Sequence, residues 1–279
     1  AIDPSLFALD SDVPGRGDSD NPYDAAVGPV AVNFNTVPLL VSRDGIGSAE
    51  PQTPTLPLMR EMGRGLQPGR YRLNVCRKGT SPQQVMARYT AELFRALLLR
   101  NDIACGSGWT TRKVAAGSVP FHVHLDSKNL ERVCAAMLRY SNNYIANLVF
   151  LTVGARRFGY PATWEKARKA VARQLAILLG PAAATGIRQV DGAGLSRKNR
   201  VTVRSMLQLL QAFCPHRLLL PERHGVRLKT GTLQGVYNLA GYLDDGIPFV
   251  VLLNQPQNRR FPVLDRLRGL YGRKADSGS

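Results

Sequence analysis

Apolar and polar positions alternate with a period of two over residues 30–42 (VAVNFNTVPLLVS) and again over residues 70–77 (RYRLNVCR). This predicts two β-strands, the first turned at Asp44-Gly45. Residues 47–69 between them read as loop. A helix is predicted next, because Ser81-Pro82 supplies a cap and a first-turn proline, and Val85, Tyr89, Leu93 and Leu97 recur at helical spacing as far as Asn101. Residues 1–28, rich in Asp, Pro and Gly without periodicity, read as an irregular surface arm. Residues 106–117 are polar and Gly-rich and mark the predicted boundary between a module at 1–118 and a lobe at 119–279.

From Asp126 the period becomes 3.6. Leu130, Val133, Cys134, Met137 and Leu138 form one helical face that ends at Tyr140-Ser141-Asn142-Asn143, and a second apolar helix begins at Tyr144. Pro161, Thr163 and Glu165 open a basic amphipathic helix closed by Gly180, with Trp164, Ala167, Val171, Leu175 and Leu178 on its predicted buried side. Residues 202–213 form another helix. Residues 226–230, 237–243 and 248–254 read as strands, the last two joined across Asp244-Asp245-Gly246, and residues 261–271 close the pattern as a basic helix.

Charge changes this picture by narrowing the partner. The 279 residues carry +17. Residues 1–60 hold three basic and eight acidic side chains, a net −5, whereas the remainder holds 34 basic and 12 acidic, a net +22. Such a field attracts anions, whether nucleic acid, anionic lipid or acidic wall polymer. The basic helix at 164–179 and the Arg259-Arg260 and Arg273-Lys274 clusters have no aromatic-interleaved patch and no recognisable nucleic-acid motif, so contact with an anionic envelope polymer is preferred to nucleic acid. The longest apolar stretches fall short of the roughly 20 residues that cross a bilayer. Cys76 and Cys105 flank a helix and are candidates for a bridge in an oxidising compartment; Cys134 and Cys214 lie in apolar runs and read as small core residues. His122-x-His124 has no second ligand pair nearby, so a solvated strand is expected there and no metal or cofactor is called for.

Three motifs occur in order: Ser141-Asn142-Asn143 at a helix junction, the Gly-rich Asp191–Arg200 stretch (DGAGLSRKNR), and Lys229-Thr230-Gly231-Thr232 at a strand end. Together with their flanks (MLRYSNNYIAN, VDGAGLSRKNRVT, LKTGTLQGVYNLAGYL) and the arm NPYDAAVGPVAVNFN, they resemble the class C penicillin-binding proteins, the penicillin-binding protein 4-type D-alanyl-D-alanine carboxypeptidase/endopeptidases. The resemblance implies an α/β (α+β) fold: a transpeptidase/β-lactamase-like lobe with an antiparallel sheet flanked by helices, preceded by a β-rich accessory module. It also implies a periplasmic or cell-envelope location. Lys229, Thr230 and Thr232 would hold a substrate carboxylate, Gly231 would let its backbone approach, and Ser141 would relay a proton. Asn143, with Asn142 beside it, would hold the substrate's peptide carbonyl, and the Thr232 N–H would be half of an oxyanion hole, worth about 2.7–4 kcal/mol. The Asp191–Arg200 loop is expected to be structural.

One part of the family pattern is missing. No serine in these residues is followed by a lysine three positions later, so the S-x-x-K nucleophile motif is absent from this chain, and residues 220–228 stand where the family has a longer loop. Without nucleophile and base no acyl-enzyme can form. What is left is capture of peptidoglycan peptides or β-lactams without a covalent bond. Carboxylate attraction plus strand-edge hydrogen bonds of about 4–6 kcal/mol correspond to a dissociation constant near millimolar to tens of micromolar. The leading expectation is a D-alanyl-D-alanine carboxypeptidase/endopeptidase-like protein of peptidoglycan metabolism, catalytically impaired in this chain and active only with a nucleophile segment outside it. The alternatives are a non-catalytic wall-peptide- or partner-binding pseudoenzyme and a basic nucleic-acid-binding protein. Loss of the segment would also expose apolar surface, to be covered by residues 1–118, a second copy or a partner chain.

Overall fold

Period-two alternation becomes antiparallel pairing in both parts of the chain. The computed structural model describes residues 1–9, 12–76, 81–243 and 246–271. Residues 1–123 and 147–164 make one unit; residues 124–146 and those from 165 onward make the other. In the first, β1 (Thr36–Ser42) lies between β2 (Gly45–Ser48) and β3 (Gly69–Asn74) in a three-stranded antiparallel sheet. Val37 and Leu39 of β1 pack with Leu58, Met59 and Met62 of α1 (Pro57–Gly63) and with Met86, Tyr89 and Leu93 of α2 (Pro82–Arg100). Each such side chain contributes about 1.5–3 kcal/mol by leaving water.

The strand expected from residue 30 starts only at Thr36, because Asn33, Phe34 and Asn35 take left-handed backbone angles (φ 48°, 57° and 53°). Asparagine tolerates that region; at Phe34 it carries strain that the fixed neighbours must offset. Asn33 helps to fix them by donating from Nδ2 to the Tyr89 hydroxyl (3.0 Å), while that hydroxyl donates to the Thr36 carbonyl (2.9 Å). The arm is pinned by buried Asp24, whose carboxylate accepts from Gly17 N–H (2.9 Å) and the Ser19 hydroxyl (2.5 Å), and by Asn74, which donates to the Asp24 carbonyl (3.0 Å).

Next along the chain come α3 (Leu130–Tyr140), α4 (Asn143–Phe158), α5 (Trp164–Leu179) and the short α6 (Pro181–Ala184). The two-residue strands β4 (Ile187–Arg188) and β5 (Arg200–Val201) pair with each other, and α7 (Val203–Phe213) follows with Thr202 as its cap. The second unit is built on β6 (Glu222–Arg223), β7 (Val226–Leu233), β8 (Val236–Tyr242) and β9 (Pro248–Asn254), antiparallel in that order, and ends in α8 (Arg260–Tyr271). Leu228, Leu239, Phe249 and Val251 meet Leu264 of α8 on one face of this sheet. Ala240, Tyr242 and Val250 meet Leu138, Leu210 and Phe213 on the other, and the Tyr242 hydroxyl donates to the Leu210 carbonyl at 2.5 Å. Helices therefore flank the sheet on both sides, as the resemblance implies. At one crossing only glycine fits: a Cβ on Gly241 would lie 2.1 Å from the Arg227 carbonyl oxygen, so the close β7–β8 approach beside Lys229 depends on it.

Several expectations need correction. The 47–69 stretch read as loop contains β2 and α1; a seven-residue helix is too short for its Leu58, Met59 and Met62 face to register as a period. The first module sets its three-stranded sheet against α1 and the 19-residue α2. A single cut at 118/119 does not describe the division. Residues 147–164 group with the first unit, where Ala8 N–H bonds the Ala162 carbonyl (2.9 Å), Ala162 N–H bonds that of Leu6 (2.8 Å), and Phe150 packs on Trp164.

Cys76 and Cys105 are both free thiols. Cys76 lies beside the Pro82 carbonyl and Cys105 beside that of Arg95, so about 20 Å of α2 at 1.5 Å per residue separates the two thiols, beyond the reach of a disulfide. Burial pushes the Cys76 thiol up to about 12, which keeps it inert. On α5, burial stops at Leu175 and Leu178 is exposed, since periodicity reports which face is apolar and not how far a neighbour extends. His122 and His124 are exposed but form no strand, and Val119, Phe121, Val123 and Leu125 around them are exposed as well. Among the described residues no group of three His, Cys, Asp or Glu could hold a metal, and no helix is long and apolar enough to cross a membrane. Asp244 and Asp245 of the expected hairpin turn and Arg273-Lys274 of the basic tail lie outside the described residues.

Candidate carboxylate-binding site

The alternation of β7 decides where Lys229 points. Val226 and Leu228 are buried toward α8, and Lys229 takes the opposite face, level with Ala240 of β8, where α3 also packs. α3 ends there. Ser141 stops it in the left-handed conformation (φ 52°, ψ 48°), and the N–H groups of Ser141 and Asn142 both return to the Met137 carbonyl. A non-glycine residue held in that region costs free energy and recurs at functional positions. The stop delivers Ser141 to Lys229, whose Nζ donates to the Ser141 Oγ at 2.5 Å and to the Thr230 carbonyl at 2.9 Å.

Asn142 has a local task. Its side-chain oxygen accepts from Ile145 N–H at 2.9 Å and caps α4, in which Asn143 is the first residue. The helix junction is thus a cap–break–cap arrangement that fixes the Ser141 hydroxyl in space.

Sequence reading missed Arg260. At the start of α8 it donates from Nη1 to the Thr232 hydroxyl (2.7 Å) and to the Gly231 carbonyl (3.1 Å). The Thr232 hydroxyl, accepting from the guanidinium, keeps its own proton to give to an anion. The only available signal was the Arg259-Arg260 pair, indistinguishable in one dimension from a solvated basic tail. Lys229 and Arg260 thus sit close to one strand segment with no carboxylate between them in the described residues, while β6 pairs only with Val226 and Arg227. Beyond Arg227 the outer edge of β7 has no strand partner among the described residues, and an extended peptide can align there by main-chain hydrogen bonds. A Cβ on Gly231 would find only ordinary contact with Asn238, so the protein itself does not demand glycine there.

The Gly-rich loop supports this strand. Fully buried Asp191 accepts from the N–H groups of Ala193 (2.9 Å), Leu195 (3.0 Å) and Ser196 (2.9 Å) and from Asn199 Nδ2 (2.7 Å), so it is a structural knot, as expected. From it Arg197 reaches the Gln234 carbonyl (2.7 Å) at the β7–β8 turn.

Burial first, and then the positive charges of Arg223 and Arg260, hold the Lys229 ammonium below the ordinary lysine range. Only the ammonium attracts a carboxylate, so affinity for an anionic peptide is full below that lowered pKa and falls as pH rises through it. Folding stability slopes the other way: between the lowered value and the unfolded value near 10.4 the unfolded chain binds more protons, and stability rises with pH. Lys229→Arg, which stays charged, is expected to remove the loss of affinity at alkaline pH in calorimetric titrations. An unchanged profile would show that another group controls binding.

A fixed lysine beside a serine at a helix break, an open strand edge and a second cation make a candidate carboxylate-binding site on a transpeptidase-like sheet. Residues 78–221 match the model of the D-Ala-D-Ala carboxypeptidase 3 (S13) family, a span that includes Ser141-Asn142-Asn143 and the Asp191–Arg200 loop and stops short of Lys229. The chain belongs to this family. It is 27% identical over 183 residues to the D-alanyl-D-alanine carboxypeptidase DacB of Haemophilus influenzae, an alignment covering 52% of this chain and 37% of that protein. The fold is similar to the crystal structure of penicillin-binding protein 4 from the same organism, with a TM-score of 0.63 and 19% identity across 96% of this chain and 73% of that one. Against that protein complexed with a β-lactam the TM-score is 0.61, with 20% identity over 95% and 73%. The chain therefore spans little more than a third of its curated relative.

Proposed function

We propose that this chain carries the carboxylate-recognition part of a D-alanyl-D-alanine carboxypeptidase/endopeptidase site in peptidoglycan metabolism, acts in the cell envelope or periplasm, and holds wall peptides without a covalent bond. The observation that carries this reading is the 2.5 Å contact between Lys229 and Ser141 beside an open strand edge. A peptide ending in D-alanine would lie along β7 with its carboxylate toward Lys229, Thr230, Thr232 and Arg260 and its peptide carbonyl toward Asn143. Acyl transfer needs a hydroxyl with a base poised on it, and the S-x-x-K pair that supplies both in the family is absent from this sequence. Lys229 donates to the Ser141 hydroxyl and, in this reading, serves anion capture.

Labelled penicillin tests this. The purified 279-residue chain is expected to form no adduct that survives denaturation, while unlabelled β-lactam competes reversibly with peptide. A covalent adduct, including one mapped to Ser141, would overturn the non-covalent reading.

The apolar face of α3 contains no fully buried residue, which favours a second copy or a partner chain over it. Nucleic acid is the weaker reading, because the cations nearest the site converge on one strand segment instead of forming a phosphate-tracking stripe. Elution from DNA-cellulose at or below physiological salt is the behaviour expected of this chain.

A further inference from the structure

A second basic site lies in the same unit. A cleft of about 500 Å³ is lined by Arg168, Val171 and Leu175 of α5 together with Arg188, Val190 and Lys198. Arg168, Val171 and Leu175 are spaced i, i+3, i+7 and so share one face of α5. Arg188 sits on β4 opposite Arg200. Leu175 is buried at the base, and Ile187 and Val190 complete an apolar floor.

Two features make this a candidate binding site instead of a solvated surface. No acidic side chain lines it, and none of its three cations forms an ion pair among the described residues. The neighbouring carboxylate, Asp191, is fully buried and faces inward, with four donors already on its oxygens. Three like charges around one concavity repel one another, and the free energy they lose is recovered when a multiply charged anion enters. One cation suffices for a carboxylate. Two guanidinium forks and a lysine match the several oxygens of a phosphate or pyrophosphate. The apolar floor adds a place for a hydrocarbon group attached to it, and the volume lies within the range of about 300–1,000 Å³ typical of ligand sites.

We infer that the α5 cleft binds a phosphate or pyrophosphate group carrying an apolar substituent, independently of the Lys229 site. The same headgroup chemistry occurs on a lipid surface and on a free organophosphate, and the experiment separates the two sources. Three probes are used: inorganic pyrophosphate and dodecyl phosphate in calorimetry, and phosphatidylglycerol vesicles in flotation. The cleft variant is Arg168→Gln with Lys198→Gln. The charge-matched control is Arg156→Gln with Arg173→Gln, at exposed positions that do not line the cleft.

Dodecyl phosphate is expected to bind at least 10-fold more weakly to the cleft variant than to the parent chain, and within about 2-fold of the parent to the control. Cleft-dependent flotation then identifies a lipid surface as the source; cleft-dependent dodecyl phosphate binding without flotation identifies a free organophosphate. Ala172→Glu, at an exposed helix position on the cleft rim, is expected to reproduce the loss without removing any cation. Equal effects of cleft and control variants on all three probes, or binding of pyrophosphate as tight as dodecyl phosphate, would overturn the inference.

Discussion

Lys229→Met is expected to weaken binding of a peptide ending in D-alanyl-D-alanine by about 10–100-fold, because it keeps the stem's packing and deletes the charge. A charge-assisted hydrogen bond is worth about 1.5–3 kcal/mol, and 1.4 kcal/mol is a factor of ten. The ammonium also organises the free site, since it donates both to Ser141 and to the Thr230 carbonyl. Its removal leaves Arg223 and Arg260 as the cations acting there, and Arg260 is already engaged with Thr232 and Gly231. Isothermal titration with acetylated dipeptide measures the loss. Unaltered affinity in a variant whose circular dichroism matches the parent would place the carboxylate elsewhere.

Asp191→Ala is expected to cost at least about 3 kcal/mol of stability in denaturant unfolding, the largest effect for a single side chain in the second unit. Three backbone N–H groups and the Asn199 amide converge on that carboxylate, and an alanine leaves them buried or half-buried without an acceptor. Gly194, at φ 79°, lets the loop close around the acid. Peptide binding should fall with it, because Arg197 anchors the loop to the turn after β7. Asp191→Asn, which retains one acceptor oxygen, is expected to lose roughly half as much. A loss below about 1 kcal/mol for Asp191→Ala would mean that the loop holds its shape without this knot.

Much of the site is legible in the amino-acid sequence, and for definite reasons. Lys229 and Ser141 are 88 positions apart, yet each sits in a motif whose flanks state its element: alternation around Lys229 and helical spacing on both sides of Ser141. Pairing of the three C-terminal strands is equally legible, because their buried positions alternate. Arg260 is not, since its partner Thr232 is 28 residues away and nothing local distinguishes a guanidinium aimed at a strand from one in water. The cap role of Asn142 depends on the backbone turn at Ser141, and a left-handed serine has no sequence signature. Periodicity also fails where elements are short, as in α1, or where an alternating run such as residues 119–125 forms no strand. The Cys76–Cys105 bridge fails on a detail the sequence does not hold: after α2 the chain returns only as far as Arg95, where Cys105 lies, while Cys76 stays beside Pro82.

Recognition of a terminal carboxylate by Lys229 and the strand beside it is the central claim. Its most direct measurement compares acetyl-D-alanyl-D-alanine with the same dipeptide closed as a C-terminal amide, titrated into the 279-residue chain at neutral pH. The acid is expected to bind with a dissociation constant of about millimolar to tens of micromolar. The amide, lacking the charge, should bind at least about 10-fold more weakly, and Lys229→Met should erase the difference. Equal affinity for acid and amide, or a preference that survives Lys229→Met, would contradict the claim.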